Sequence, residues 1–276
     1  MTVKIVTDST ADISPELAEE MGVRIVPVYL RFGTEIFRDG VDITKETFYS
    51  KLKTSPLHPS TSQPTPQDFA EVYSDCANEA EGIVSIHVSS KVSGTYNAAL
   101  QGGELQKYKC QVEVVDSQLT SMGLGLVVMA AARLARAGES VHSVLEETNK
   151  AIGQVRMLGL FDTMKYLVRG GRISKATGSV AKILNIKPLF TFKEGEIVRT
   201  SLARTYSQGV AKLYQFASSL PSVQELAIAY STVPAQAERL KEKLLAVFPD
   251  LDIHISQLGA GLGVHGGPGV LLIALR

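Results

Sequence analysis

GIVSIHVSSKVSGTYNAAL, residues 82–100, decides how this chain is read. Gly82 to Val88 is an apolar run of strand length, and an alanine-bearing stretch of helical character closes the segment. Between them Ser89, Ser90, Ser93 and Thr95 crowd around Gly94. A strand feeding a helix through a short turn is the unit from which α/β sheets are built. At such a turn unpaired backbone N–H groups and the positive end of the helix dipole face outward, which suits an anion. Gly94 permits close backbone approach, and Ser93 and Thr95 add hydroxyl donors; the same residues also read as an ordinary helix cap. Three occupants fit this chemistry: an acyl group under nucleophilic attack, a phosphate, or the carboxylate of a small or apolar acid.

Outward from this segment, strand-like and helix-like periods alternate almost throughout, predicting an α/β fold with helices on both faces of the sheet. Val3–Thr7 reads as a first strand, followed by a helix with Ser14 as N-cap, Pro15 at its first position and Gly22 at its end. Val23–Tyr29 reads as a second buried strand and RFGTEIFRDG as a hairpin. Thr44 caps a helix to about Lys53. TSPLHPSTSQPTP, residues 54–66, holds four prolines and six hydroxyl residues, so it reads as a linker or as a functional loop over a site. A helix from Gln67 to about Ala80 precedes the opening segment, whose own helix runs to about Gln106. Gln111–Val115 is a predicted strand, and helices are predicted over Ser121–Ala137 and Ser140–Gly153. From Val155 the pattern restarts with a strand to Phe161, a glycine-hinged basic turn RGGRISK, and a helix over Lys175–Leu184. A hairpin over Ile186–Phe192 and Glu196–Ser201 follows, then helix, strand, helix and strand to about Ser256. GAGLGVHGGPG reads as a Gly-rich loop feeding a final apolar strand. The restart divides the chain into residues 1–155 and 156–276.

Composition narrows the function. Twenty-eight Lys and Arg balance 28 Asp and Glu with no basic run, which argues against a nucleic-acid surface. Cys76 and Cys110 form no CxxC and suit a reducing cytosol. MTVKIVTDST enters a strand pattern directly, without the apolar region of a signal peptide. The most apolar window, Met122 to Ala132, is too short to span a bilayer and reads as a buried helix. A soluble cytoplasmic protein is expected.

The motifs differ in specificity. The hydrolase elbow requires G-x-S-x-G, whereas Ser93 stands in Lys91-Val-Ser93-Gly-Thr95. A base for it would come from five histidines, of which His265 lies in the Gly-rich loop and His58 in the Pro-rich one. No G-x-x-x-x-G-K-[ST] is present, and Gly261-Leu-Gly263-Val-His-Gly266 matches G-x-G-x-x-G without the helix a dinucleotide site needs after it. No His or Cys pair has metal-ligand spacing. Asp8 and Asp12 suggest either Mg²⁺ or a polar turn at the carboxyl end of a strand, where open α/β sheets bind ligands. Arg169 and Arg172 form the strongest basic pair, facing an anion or solvent.

Asp8-Ser-Thr10, Thr61-Ser62-Gln63-Pro64, Ser93-Gly94-Thr95, Arg169-Gly-Gly-Arg172-Ile173 and His265-Gly-Gly-Pro-Gly269 occur in this order over essentially the whole chain. Together they resemble the DegV family, bacterial proteins of two α/β domains (the EDD fold) with a fatty acid bound between them. The resemblance implies two largely parallel sheets flanked by helices, with carboxylate-binding loops in residues 1–155 and residues 156–276 completing the lipid pocket. It implies that Thr61 and Ser93 hold the carboxylate, with Ser62, Gly94, Thr95 and His265 as neighbours and Arg172 and Arg169 as outer or partner-docking arginines. It implies no catalytic residue, metal or cofactor, only a bound fatty acid. The implied partner is a separate fatty acid kinase subunit resembling dihydroxyacetone kinases, to which the carboxylate is presented for acyl-phosphate formation and phospholipid synthesis. No nucleic acid and at most transient membrane contact are implied. The competing readings are a serine esterase or thioesterase using Ser93 and His265, and a small-anion sensor.

Overall fold

The computed structural model describes residues 2–105, 110–173 and 186–276. The helix expected at 175–184 and the expected helix end at Gln106 lie outside the described residues.

The first half is built on a parallel sheet of β1 (Val3–Asp8), β2 (Val23–Val26), β6 (Gly82–His87) and β7 (Gln111–Asp116), in the order β2-β1-β6-β7. Helix α1 (Pro15–Met21) starts as expected: the Ser14 side chain accepts from the Leu17 N–H, Pro15 occupies the first turn, and Gly22 ends the helix at φ 67°. The strand expected over Val23–Tyr29 divides instead. Pro27 has no N–H to give a ladder, and the chain beyond it joins a second, three-stranded antiparallel sheet. That sheet pairs β3 (Tyr29–Phe32) with β4 (Glu35–Arg38) as the expected hairpin, and with β5 (Ser60–Ser62) on its other edge. The proline-rich segment is therefore anchored at its centre, with Thr61 opposite Leu30. Helices α2 (Lys45–Thr54), α3 (Pro66–Ala77), α4 (Thr95–Glu104), α5 (Ser121–Arg136) and α6 (Val141–Gln154) complete this half.

The second half contains β8 (Arg156–Leu160), α7 (Lys165–Arg169), β9 (Lys187–Lys193), β10 (Glu196–Ala203), α8 (Tyr206–Ser218), β11 (Leu226–Tyr230), α9 (Pro234–Leu245), β12 (Ile253–Gln257), α10 (Ala260–Gly266) and β13 (Leu271–Leu275). Its sheet, ordered β10-β9-β8-β13-β11-β12, corrects the expectation of a largely parallel second sheet: only β11 and β12 run parallel. The reason is in the connections. A parallel pair needs a crossover, and α9 supplies one between β11 and β12; the tight Glu194-Gly195 turn makes β9 and β10 a hairpin, and the last strand inserts antiparallel between β8 and β11.

Helix α5 joins the halves. Residues 121–132 are buried throughout, and they share one core with Ile5, Val84 and Ile86 of the first sheet and with Ala227, Ala229, Leu272 and Ala274 of the second. A helix apolar on every face is stable only when covered on every face. The buried helix read from Met122 to Ala132 is this one. A second join is the β9–β10 turn, whose Gly195 carbonyl accepts from the Ser89 hydroxyl at 2.7 Å.

Candidate functional site

Strand order reverses between β1 and β6, so the turns after these two strands part and leave a crevice at the carboxyl edge of the first sheet. A cavity of about 270 Å³ lies there, close to the lower end of the usual range for ligand pockets, roughly 300–1,000 Å³. The second half closes it. Met157, Phe161, Phe190, Phe192 and Ile197 form an apolar wall facing Val92. Phe190 and Phe192 share one face of β9 through the two-residue period of a strand. The wall residues escaped the sequence reading, although the alternation Phe190-Thr-Phe192 was visible as a signal.

The other end is polar. Thr61, Ser62, Gln63, Ser93, Gly94, Arg172 and His265 meet there, brought from four separate segments, and among the described residues no acidic side chain lines the cavity. Thr61 arrives on β5. Ser93 and Gly94 arrive at the start of α4, which has no side-chain cap at Gly94. The Ser93 hydroxyl lies 2.9 Å from the Thr95 hydroxyl and accepts from the Thr95 N–H at 3.3 Å. Thr95 itself is fully buried behind Ser93 and does not reach the cavity surface. A side chain at position 94 would collide with the Gln63 carboxamide, so the glycine lets Gln63 lie across the turn.

His265 stands on α10, a helix where a Gly-rich loop was expected. Its Nε2 is 2.8 Å from Thr61 Oγ1, and its Nδ1 is buried without a hydrogen-bond partner among the described residues. Burial, reinforced by the nearby charge of Arg172 and by His58, pushes the imidazole down to about 3, so it is neutral at physiological pH. A buried N–H without an acceptor costs more than a buried lone pair without a donor. The proton therefore belongs on Nε2, which donates to Thr61 and leaves the Thr61 hydroxyl hydrogen free to point into the cavity.

The two arginines separate. Arg172 is half-buried in the cavity wall and turns back so that its Nη1 donates to the Gly170 carbonyl at 2.6 Å. Burial pulls its guanidinium below the ordinary value. Position 170 must be glycine because a Cβ there would collide with the His265 ring. Arg169 is exposed in a neighbouring groove with Lys165, Tyr166 and His58, away from the cavity.

The esterase constellation is not assembled. His265 Nε2 engages Thr61 rather than Ser93, and no carboxylate orients its Nδ1. An Asp–His–Ser chain exists elsewhere: Asp8 Oδ2 lies 3.0 Å from His87 Nδ1, His87 Nε2 lies 2.7 Å from Ser85 Oγ, and the Tyr73 hydroxyl donates to Ser85 at 2.8 Å. All four residues are fully buried, so no substrate reaches them. Asp8 also accepts from the Thr10 N–H and hydroxyl and from the Val88 N–H, which fixes the Asp8-Ser-Thr10 turn, whose Thr10 lines the cavity. Burial works to raise the Asp8 carboxyl, but His87 and these bonds bring it below the ordinary value. Among the described residues no group of three or more His, Cys, Asp or Glu could hold a metal ion, and no helix is long and apolar enough to cross a membrane.

The sequence model of the DegV family, described as uncharacterised, matches residues 2–276. A DegV domain-containing protein of Deinococcus radiodurans is 32% identical over 100% of this chain and 99% of its own. A DegV family protein from Thermus thermophilus, described by its fatty acid binding, superposes with a TM-score of 0.91 at 32% identity over 100% of both chains. DegV from Bacillus subtilis, described as a fatty acid binding protein, superposes with a TM-score of 0.92 at 28% identity over 100% of this chain and 99% of its own.

Proposed function

The chain belongs to the DegV family, and from that premise we propose that it binds one long-chain fatty acid, carboxylate at the Thr61–Ser93 end and acyl chain along the apolar wall. One observation carries the reading: among the described residues of its lining, the cavity has hydroxyl donors and a cation at one end, mostly apolar side chains along the rest, and no acid. A carboxylate taken out of water needs several good donors. The Thr61 hydroxyl, oriented by His265, and the Ser93 hydroxyl supply two, with the start of α4 and the Arg172 charge beside them. Ser62 and Gln63 stand at the rim.

Energetics assign different tasks to the two ends. At about 0.8 kcal/mol per buried CH₂, a long acyl chain contributes roughly 10 kcal/mol gross before ordering costs. The tail thus sets affinity, and the hydroxyl cradle sets orientation and selects an acid over a neutral lipid. Hydroxyls also avoid the fixed grip of a direct salt bridge, which suits a carrier that releases its cargo. In this reading the protein performs no chemistry itself. A separate ATP-dependent kinase subunit receives the carboxylate, one oxygen of which attacks the terminal phosphoryl group of ATP; ADP leaves and the acyl phosphate feeds phospholipid synthesis. The domains 1–155 and 156–276 then act as the two walls of one lipid site, in a protein working in the cytoplasm.

Native mass spectrometry of freshly purified protein, followed by organic extraction, tests the proposal. A mass increment of one fatty acid, recovered as free acid, is expected. Protein that stays empty after incubation with common fatty acids would refute it.

A further inference from the structure

The helix that carries His265 is held at its other end by carboxylates from the opposite half of the molecule. Asp12, just beyond β1, accepts from the Gly259 N–H at 2.7 Å. Asp39, just beyond β4, accepts from the Ala260 N–H and the Gly261 N–H, each at 3.0 Å. Three successive N–H groups at the start of α10, which an isolated helix leaves unpaired, are thus all taken by two side chains more than 200 positions away in sequence. The carboxylates are fixed in turn. Ser121 donates to Asp12 Oδ2 at 2.5 Å and Ser9 donates to Asp39 Oδ2 at 3.1 Å. Asp12 is 3% exposed and Asp39 5%. Asp12 holds φ at 56°, a left-handed conformation that costs a non-glycine residue energy and aims its carboxylate at the helix.

Gly259 and the first two glycines of the false dinucleotide motif, Gly261 and Gly263, belong to this arrangement. A Cβ at 259 or 261 would lie 3.0 Å from Asp39 Oδ2, and one at 261 would also strike Val28. A Cβ at 263 would strike the Phe48 ring. What resembles a phosphate cradle is a helix start shaped around the protein's own carboxylates.

From this geometry we infer that Asp12 and Asp39 are positioning residues for the carboxylate end of the cavity. They act through α10, a strut of about 10 Å at 1.5 Å per residue, whose far end sets His265 against Thr61. The inference rests on the fatty-acid reading of that site. With the clamp loosened, His265 no longer directs the Thr61 hydroxyl, and the site loses its preference for an ionised head group while the apolar wall keeps its hold on the tail.

The test compares the affinities of a long-chain fatty acid and its methyl ester, by displacement of a fluorescent fatty-acid analogue, in wild type and Asp39→Asn. An amide at 39 presents one acceptor where two N–H groups need one each. Affinity for the acid should fall about tenfold, the scale of one lost hydrogen bond, with affinity for the ester unchanged. An acid-to-ester ratio equal to that of wild type, or equal weakening of both ligands as from general destabilisation, overturns the inference. If Asp39→Asn does not fold, Asp39→Glu keeps the charge but displaces the clamp by a methylene, and the same ratio decides. Wild type that binds neither ligand, or does not distinguish them, would overturn the fatty-acid reading and the inference with it.

Discussion

Two sets of histidine and hydroxyl groups lie near the carboxyl edge of the first sheet, and they behave as opposites. In the buried set, Tyr73, Ser85, His87 and Asp8 form a continuous chain in which each hydrogen-bonding group has a partner. In the cavity set, Thr61 pairs with His265 and Ser93 with the buried Thr95, and the Thr61 and Ser93 hydroxyls keep capacity to spare, aimed at open space. The first has the composition of a catalytic triad and no access; the second has access and no triad. Residue types alone do not make a site. Unmet hydrogen-bonding capacity facing a cavity does.

The largest effect that sharpens this contrast is on the buried set. Asp8→Ala leaves the His87 ring, the Thr10 N–H and the Val88 N–H without their acceptor, and should cost about 3–5 kcal/mol of stability in urea denaturation. The fraction that remains folded should bind fatty acid as wild type does. A change in ligand selectivity would break the separation drawn between the two sets.

Next come the pH responses at the two ends of α10. His265 is lowered from 6.5 to about 3, so the unfolded chain takes up a proton first, and its contribution to stability is lost as pH falls from about 6.5 toward 3. Asp12 is raised, chiefly by burial, from 3.8 to about 7, so the folded chain holds the proton first, and stability declines as pH rises from about 4 to 7. These two terms oppose each other between about pH 4 and 6.5. His265→Asn should therefore gain about 2–3 kcal/mol relative to wild type on going from pH 6.5 to 4, at 1.36 kcal/mol per unit. Asp12→Asn should remove the opposing slope. Parallel denaturation midpoints across that range in wild type and His265→Asn would show that the ring is not held neutral.

A smaller effect belongs to the cavity hydroxyls. Thr61→Val and Ser93→Ala should each weaken binding of the acid by about 1–2 kcal/mol and leave its methyl ester nearly untouched. Equal losses for both ligands would place these side chains against the tail instead. The smallest effect separates the arginines: Arg172→Ala should lower acid affinity severalfold, whereas Arg169→Ala, exposed and outside the cavity, should change it by less than about 0.5 kcal/mol. The reverse order, read in the same displacement assay, would reassign the basic end.

Much of this was legible in the chain itself. Ser14, Pro15 and Gly22 marked a helix because capping is a local transaction between a side chain and the next turn. Thr61, Ser93 and His265 were identifiable through motif order and do share one cavity end. The two-residue alternation in β9 held the apolar wall in plain view but gave no sign of which face would meet a ligand. Arg169 and Arg172 looked equivalent because their difference lies in Arg172 folding back onto the Gly170 carbonyl. Thr95 read as a cavity donor and instead supports Ser93 from behind.

Local chemistry determined the alternation of strands and helices, the capped helix starts, the buried character of residues 122–132 and the hydroxyl-rich turn after β6. These depend on neighbours within a few positions, and so they are written into periodicity and residue type. Tertiary structure alone decided that the second sheet is mostly antiparallel, that a proline-rich segment offers three residues to β3, and that Asp12 and Asp39 hold a helix near the end of the chain. Each of these is a meeting of segments far apart in sequence, fixed by which surfaces remain to be covered once the local elements have formed.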